Sequence, residues 1–470
     1  MPRDFDLPEI TQEASLPRPA FRALVLDGVF SQSLGVLTSG ALLVGCALAL
    51  GASPAYVGVL SAIPLLSQLA HVPAVILIER VRRRKAICIA VTLAARLMLL
   101  PLLIVPLTGN RDLALALLAG FLAISCPLGA VGGCAWMSWT SDLVPRARLG
   151  RIFSHRQLAA NLAATLAGLA GAGIVDEWAR QFPEFRLGGY CGVFALAIAA
   201  AMLSTWFLTR MPDVPMKQVE PAPLARLFAR PFRDRNYRRV MTFLGAWNFA
   251  INLAMPFFTV YLVRDLGTPL TVPIILTVLA QLANTASLPW WGRLCDRYSN
   301  KAAIALAGPA LLFAILLWVA AAEPAPHAMT FPLIFAAQVL VGAAGAGLDL
   351  ACGNLAYKSA PAGETTVYLG TNGLIKSLAG GTAPLAGGML AQGIAGTPIH
   401  IAIGSLMVID LAPLTILFLA AAGAGALALL ALAPIAEAGR GFLRLRLWRR
   451  AQPAASAGSG AIAPITSPRS

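Results

Sequence analysis

Long apolar stretches, separated by turns rich in charged residues, proline and glycine, recur along the whole chain. Each stretch is about 20 residues long, the length of an α-helix that crosses the hydrocarbon core of a membrane. Because backbone polar groups in lipid must bond to one another and the stretches are too long for barrel strands, the pattern predicts an all-α membrane protein. Twelve transmembrane helices are predicted, at 21–50, 54–78, 86–107, 112–137, 154–176, 188–209, 238–263, 270–292, 302–321, 331–357, 367–392 and 411–434.

Composition agrees with a chain that is covered by lipid. Of the 470 residues, 58% are hydrophobic and only 12% are charged. A soluble domain carries about 25% charged residues, so these side chains are too few to cover a surface that faces water.

Basic residues are concentrated in alternate loops, and lysine plus arginine outnumber aspartate plus glutamate by 36 to 21. Under the positive-inside rule, this asymmetry predicts a multi-pass protein of the cell inner (plasma) membrane with both termini in the cytoplasm. It also argues against a nucleic-acid partner, because the basic residues form no single patch. The basic clusters lie at 80–85, 146–151 and 226–239, and the other loops contain only Arg111, Arg180, Arg186 and Arg264.

The chain has the pattern of a duplicated unit of six helices. A shift of about 216 residues aligns Leu50-Gly51 with Leu266-Gly267, and the basic turns of the two halves then coincide. We therefore divide the chain into a cytoplasmic N-terminal tail (1–20), a first half (21–209), a cytoplasmic hinge loop (210–237), a second half (238–434) and a basic, partly disordered cytoplasmic tail (435–470).

The turn after predicted helix 8 carries the most informative motif. It reads Gly292-Arg293-Leu294-Cys295-Asp296-Arg297 and resembles the G-x-L-x-D-R-x-G-R-R/K loop of the major facilitator superfamily. The counterpart after predicted helix 2, at Glu79-Arg80, has Glu for Asp and lacks both glycines. The resemblance covers residues 21–434 and implies two pseudo-symmetric six-helix bundles that move a small molecule across the membrane.

A carboxylate that faces a basic residue on a neighbouring turn can hold one face of such a transporter closed. We therefore expect Glu79, Arg80, Asp296 and Arg297 to act in gating rather than in substrate binding. The alternative is that they only determine topology. The loop from Asp142 to Arg151 is similar to a turn of bacterial members of the superfamily whose substrates are unassigned, so it indicates family and not substrate.

Charged residues inside predicted helices are costly in lipid and are therefore candidates for function. Asp349 and Lys376 lie about 12 Å and about 14 Å from the cytoplasmic ends of predicted helices 10 and 11. The resemblance implies that both helices lie near the translocation path. We expect this pair to bind a proton or a charged substrate group in exchange for its ion pair, and a static pair is the alternative.

Two further charges lie in the first half. Asp27, in predicted helix 1, is either a protonatable carboxylate or a helix-end anchor, and we favour the anchor. For Arg96, in predicted helix 3, we favour snorkelling or a structural bridge over substrate contact.

Uncharged polar residues on the predicted cavity helices complete the set of candidates. Asn248 and Asn252 are four residues apart and so share a face of predicted helix 7. Bonds between neighbouring helices are the alternative role for each of these residues. The candidates for substrate contact are Asn248, Asn252, Gln281, Asn284 and Asn354, and further polar residues of this kind are Gln32, Gln68, His71, Asn161 and Gln338.

No sequence motif indicates an enzyme. None of the five lysines follows a glycine as in a P-loop, and neither H-E-x-x-H nor G-x-S-x-G occurs. We therefore expect no cofactor and no metal. We also expect a monomer, whose partners are a small-molecule substrate and membrane lipid. The prediction is a secondary active transporter that works by alternating access and is coupled to an ion, with the proton favoured. A transporter-shaped receptor or assembly factor that moves no solute is the alternative.

Overall fold

The computed structural model describes residues 17–144, 149–214, 224–322, 327–361, 364–394, 399–403 and 407–437. Several predicted segments lie wholly or partly outside the described residues. They are most of the N-terminal tail, the middle of the 142–151 loop motif, the central part of the hinge loop and nearly all of the basic C-terminal tail.

Six helices form the first half, and side chains fix where several of them begin. The Ser53 hydroxyl accepts from the backbone of Tyr56 at the start of helix 2, and Asn110 caps helix 4 in the same way. The helices are helix 1, Arg18–Leu37 continued by Gly40–Ala49; helix 2, Pro54–Ser67 continued by His71–Val81; helix 3, Arg84–Leu97 continued by 3-10 turns to Leu107; helix 4, Arg111–Leu143; helix 5, Leu149–Gln181; and helix 6, Gly188–Arg210.

The second half repeats this arrangement after a short connecting helix, Leu224–Arg233. Its helices are helix 7, Arg235–Val260 extended by a π turn at Tyr261–Asp265; helix 8, Thr271–Arg297; helix 9, Asn300–Ala322; helix 10, Thr330–Ser359; helix 11, Thr365–Ile394; and helix 12, Pro413–Leu430.

The all-α prediction of twelve long helices in two bundles is confirmed. Eleven of the described helices are long and apolar enough to cross a membrane, and helix 11 is 30 residues long but more polar. Helices 4 and 5 extend several residues past the predicted apolar stretches, because a helix continues into the polar region where hydropathy falls. An antiparallel hairpin before helix 12, β1 (Ile399–Ile403) and β2 (Met407–Leu411), was not predicted.

Local features support the predicted duplication. Gly51 follows helix 1 with φ of 78° and Gly267 follows helix 7 with φ of 63°, so both turns use a left-handed conformation that glycine adopts without strain. Lys85 and Lys301 lie at the start of the third helix of their halves. Each ammonium donates to a backbone carbonyl just beyond the last helix of its half. These pairs all fall at the same offset of about 216 residues.

Helix 7 begins where helix 12 ends. The Asn236 side chain bonds to the backbone of Ala436, and Arg239 donates to the Pro434 carbonyl at 2.8 Å. We call this face of the bundle, where helix 1 also begins, the terminal face, and the other face the distal face. Within the first half, helix 1 packs along helices 5 and 6, and between the halves helix 2 packs along helix 11.

Candidate functional site

A carboxylate is buried inside the first half. Asp27 lies about 14 Å along helix 1 from Arg18 and is only 2% exposed. Nη2 of Arg156, on helix 5, lies 3.5 Å from Oδ2 of Asp27, and the Ser204 hydroxyl of helix 6 donates to Oδ1 at 2.6 Å. The carboxylate therefore has a countercharge and a hydrogen bond, which a buried charge requires.

A second arginine joins this network from helix 3. Nη2 of Arg96 donates to the Ser204 hydroxyl at 2.8 Å, and Nη1 donates to the Thr205 hydroxyl at 2.5 Å and to the Ala201 carbonyl at 3.0 Å. Both terminal nitrogens of Arg96 are thus occupied by helix 6. Arg96 reaches Asp27 only through Ser204.

Arg156 reaches Asp27 because Gly28 leaves room for its side chain. A Cβ atom on Gly28 would lie 2.8 Å from Nε of Arg156, which is too close without a shift. Nε of Arg156 donates to the Leu24 carbonyl at 3.2 Å, and the guanidinium lies over the Trp136 ring of helix 4, 4.5 Å from its centroid. Contacts from helices 1 and 4 therefore fix the position of this arginine.

Substitution of Gly28 tests this packing. Gly28→Val is expected to displace Arg156 and leave Asp27 buried without its countercharge, at a cost of about 3 kcal/mol or more in stability. Gly35→Val is the matched control, because a Cβ on Gly35 of the same helix meets no atom within 4 Å. The measurement is the thermal unfolding midpoint of both variants in detergent. Equal midpoints for the two variants would mean that Gly28 does not position Arg156.

These residues line a cavity of about 430 Å³, which we call the N-half cavity. This volume lies within the range of small-molecule sites. Helices 1, 3 and 4 form most of the wall, which combines the charged network with hydroxyl, thiol and apolar side chains. The lining includes Asp27, Ser31, Cys88, Thr92, Arg96, Phe121, Leu122, Ser125, Cys126, Gly129, Trp136 and Arg156.

Asp349 and Lys376, in the second half, lie at similar depth in the bundle but are not in contact. Asp349 lies about 15 Å from the end of helix 10 at Ser359, and Lys376 lies about 16 Å from the start of helix 11 at Thr365. They interact electrostatically, but no ion pair joins them among the residues that the structure describes. Asp349 is exposed. A charged side chain at this depth of a membrane protein requires water or a partner group.

Three of the predicted amides face neighbouring helices of the second half. Asn248 and Asn252 each donate to the carbonyl four residues earlier on helix 7, and both lie beside Gly380 of helix 11. Asn284 of helix 8 lies beside Gly345 of helix 10. Asn354 and Gln338 are half-buried on helix 10.

Another group of predicted residues meets between the halves. Gln281 of helix 8 lines a pocket of about 190 Å³ together with Gln32 of helix 1 and Asn161 of helix 5. Nε2 of Gln157 donates to Oδ1 of Asn161 at 2.7 Å. The structure therefore brings polar side chains of both halves to one pocket.

Near the distal face, a carboxylate joins the two halves. Asp176 of helix 5 accepts from the backbone N–H groups of Leu270 and Thr271, both at 2.8 Å, and from the Thr271 hydroxyl at 2.5 Å. These groups lie at the start of helix 8, where the helix dipole also favours a negative charge. Asp176 thus connects the first half to the second.

Helices 2 and 11 make a second contact on the distal side. A Cβ on Gly58 would collide with the Pro384 carbonyl oxygen, and one on Gly388 would lie 2.7 Å from the Pro54 carbonyl oxygen. Toward the terminal face, a pocket of about 340 Å³ separates the same two helices. Gln68 and His71 on helix 2 and Gly370, Gly373 and Ser377 on helix 11 line that pocket. The two helices are therefore in contact distally and diverge terminally.

The predicted gating residues lie at the terminal face and are separate. Glu79 is half-buried, and Arg80, Asp296 and Arg297 are exposed. Within the described parts of the chain, none of the four forms an ion pair. The guanidinium of Arg297 lies over the ring of its neighbour Tyr298.

Sequence reasoning missed Arg156 and Asp176. Both fall inside the predicted helix 154–176, and charge within a predicted span is the signal that could have found them. They lie close to its two ends, where charged side chains ordinarily reach water, so neither stood out.

Comparisons with known proteins agree with this architecture. A family model described as Major Facilitator Superfamily matches residues 240–444. None of the curated proteins compared with the chain matches it. The solved structures similar in fold to the chain include the following three, each at low sequence identity.

The D-xylose-proton symporter has a TM-score of 0.65 at 14% identity, over 90% of this chain and 98% of that one. The nucleoside transporter NupG has a TM-score of 0.62 at 12% identity, over 89% and 98%. A bacterial homologue of the human lysosomal transporter Spinster, inward-facing and unoccupied, has a TM-score of 0.60 at 16% identity, over 89% and 96%.

Proposed function

We propose that this chain is a member of the major facilitator superfamily, whose family model matches residues 240–444, and that it is a secondary transporter that moves a small solute across the inner membrane by alternating access, coupled to protons. Similar folds occur in a nucleoside transporter and a D-xylose-proton symporter. At identities below 15% these likenesses concern the fold, so the proposal depends on the geometry of this chain.

The observation that carries the proposal is the asymmetry of contacts between the halves. Asp176 and the glycine contacts of helices 2 and 11 join the halves near the distal face, whereas a pocket separates helices 2 and 11 near the terminal face. A pocket of about 1060 Å³, lined by Asp176 and by residues of both halves, also lies at the distal face, so the asymmetry concerns the contact between helices 2 and 11. A single conformation of an alternating-access transporter has such an asymmetry, with the helices of the two halves closer together at one face than at the other.

The terminal face is the cytoplasmic face in this proposal. The clusters of basic residues at 80–85 and 226–239 belong to that face, as the positive-inside rule requires. The conformation described is then open to the cytoplasm. Glu79, Arg80, Asp296 and Arg297 would come together only after the terminal face closes, which agrees with their separation here.

Proton coupling rests on carboxylates that lie within the bundle. Asp27 has a switchable partner in Arg156, since a proton on Asp27 would remove the attraction between the two. Asp349 and Lys376 are the corresponding candidates of the second half, and they are not paired in this conformation. We therefore give Asp27 the first coupling role and leave Asp349 as the second candidate. Gln32, Asn161 and Gln281 are proposed to contact substrate from both halves.

The contact of Asp176 with the start of helix 8, near the distal face, provides the test. Asp176→Ala removes the charged acceptor of the hydrogen bonds that Leu270 and Thr271 donate at the start of helix 8. The variant is expected to raise the population of the conformation that is open at the distal face by roughly tenfold. Spin labels on Ala179→Cys and Val272→Cys, one on each half in a cysteine-free background, report the distance by electron paramagnetic resonance. Glu177→Ala is the matched control, because among the described residues Glu177 bonds within helix 5, to Arg180 and Gln181.

A longer distance in Asp176→Ala but not in Glu177→Ala would support alternating access. If the two variants give the same distance distribution, the distal contact is not a gate and the proposal loses its main support.

A further inference from the structure

We infer that the N-half cavity binds a small organic monoanion and that Arg156 pairs with its anionic group. Arg156 pairs with Asp27 when the cavity is empty, and it pairs with the ligand when Asp27 has taken up a proton. The inference rests on the proposed transport function and names its substrate class. A carboxylate on a compact apolar body is the ligand that the cavity fits.

The charges of the cavity favour an anion. Arg96 and Arg156 contribute two positive charges to its wall and Asp27 contributes one negative charge, so the site carries a net charge of +1. A cation would be repelled by this excess charge, whereas an anion would be attracted to it.

Arg156 is the group that can receive the ligand. Both terminal nitrogens of Arg96 are bonded to helix 6, but Arg156 donates to protein through Nε and holds Asp27 loosely through Nη2 at 3.5 Å. Its Nη1 has no hydrogen-bond partner among the described residues. A guanidinium presents a fork that matches one carboxylate, so one available arginine suits one carboxylate.

The rest of the wall describes the body of the ligand. Phe121 and Leu122 supply apolar surface, and Gly129, Gly132 and Gly133 leave space along helix 4. The indole Nε1–H of Trp136 is buried with no partner among the described residues and provides a spare donor. A phosphate dianion would call for more positive charge than Arg156 alone provides.

The exchange is balanced in charge. In the empty state Asp27 is ionised and pairs with Arg156. In the loaded state a proton from water sits on an Asp27 oxygen, and the ligand anion occupies Arg156. The net charge of the site is +1 in both states, so proton and monoanion move together without net charge transfer.

Ligand affinity therefore depends on the protonation of Asp27. The groups that face Asp27 are Arg156 on helix 5, Ser204 on helix 6, and Arg96 and Cys88 on helix 3. Neither arginine changes charge in the working pH range. Anion binding is thus expected to strengthen as pH falls and Asp27 takes up its proton.

The test uses the full chain in detergent and measures the thermal unfolding midpoint with acetate, propionate or benzoate, each compared with its neutral amide. Benzoate is expected to raise the midpoint of the wild-type protein more than benzamide does, and more at mildly acidic than at mildly alkaline pH. Asp27→Asn should bind benzoate equally at both pH values, because Arg156 is then always available. The double variant Asp27→Asn with Arg156→Gln should lose about tenfold or more in affinity.

Arg180→Gln, at the distal end of the same helix, is the matched control and should behave like the wild type. The inference is overturned if no carboxylate protects the wild type more than its amide, if protection persists in the double variant, or if phenyl phosphate protects better than benzoate.

Transport is tested separately by flux in vesicles. Carboxylate binding without flux of any solute would refute the transport function and leave the anion site. Flux of neutral or cationic solutes without carboxylate binding would refute the anion site alone.

Discussion

Asp27→Asn is expected to abolish accumulation of solute against its gradient while sparing downhill exchange. The amide cannot take up or release a proton, so Arg156 remains available to the ligand in every conformation. Binding and reorientation of the loaded protein therefore continue, but the proton gradient no longer drives them. The measurement compares accumulation under an imposed pH gradient with exchange between equal concentrations on the two sides, both in proteoliposomes.

The corresponding variant of the second half is the control for this result. Asp349→Asn removes a carboxylate at similar depth that has no ion-pair partner among the residues that the structure describes. Loss of accumulation in Asp349→Asn, with normal accumulation in Asp27→Asn, would move the coupling role to the second half. That outcome is the one that the sequence alone favoured.

The second large effect is on stability. Arg156→Gln is expected to lower the free energy of unfolding by about 3–5 kcal/mol, because Asp27 is then buried without a countercharge. The double variant Asp27→Asn with Arg156→Gln should cost less than Arg156→Gln alone, since the buried negative charge of Asp27 is then also removed. Reversible unfolding of all four proteins in mixed micelles gives the coupling energy of the pair.

The same cycle on the second half provides a matched comparison. Asp349→Asn and Lys376→Met should show a coupling energy below about 1 kcal/mol, because Asp349 is exposed, Lys376 is half-buried and no ion pair joins them among the described residues. A larger coupling energy for Asp349 with Lys376 than for Asp27 with Arg156 would contradict the difference that the structure describes.

The fold could be predicted from the sequence because lipid imposes a strong and local constraint. Each span must be apolar and helical over its whole length, so hydropathy alone finds it. Helix 11 was predicted even with Lys376 inside, because most of its other residues are small or apolar. The hairpin before helix 12 was missed, because a search for apolar stretches of about 20 residues does not detect two strands of five residues each.

The candidate site could be predicted only in part, because contacts between distant residues are not local. Asp27 and Arg96 were identified as buried charges, but their connection depends on Ser204, which has no distinguishing feature in the sequence. Arg156 becomes a partner of Asp27 only because Gly28 opens a path between the two helices. Asp349 and Lys376 lie at equal depth, yet depth does not fix the distance between two helices.

The contact of Asp176 with helix 8 illustrates the same limit on predicting contacts from the sequence. Asp176 lies near the end of a helix, where a carboxylate is unremarkable by sequence. Its importance comes from the start of helix 8 in the other half, which the fold brings to it. The gating motif at Asp296 was more visible, but its residues are separate in the conformation described.

Gradient-driven accumulation tests the central claim most directly. Proteoliposomes that contain the wild-type protein are incubated with a mixture of isotopically labelled small metabolites under a pH gradient of either direction, and their contents are identified by mass spectrometry. We expect at least one organic monoanion to accumulate above its external concentration, to be lost when an uncoupler removes the gradient, and to be absent from vesicles with Asp27→Asn. If vesicles with the wild-type protein accumulate no more of any solute than protein-free vesicles under either gradient, the protein is not a proton-coupled transporter.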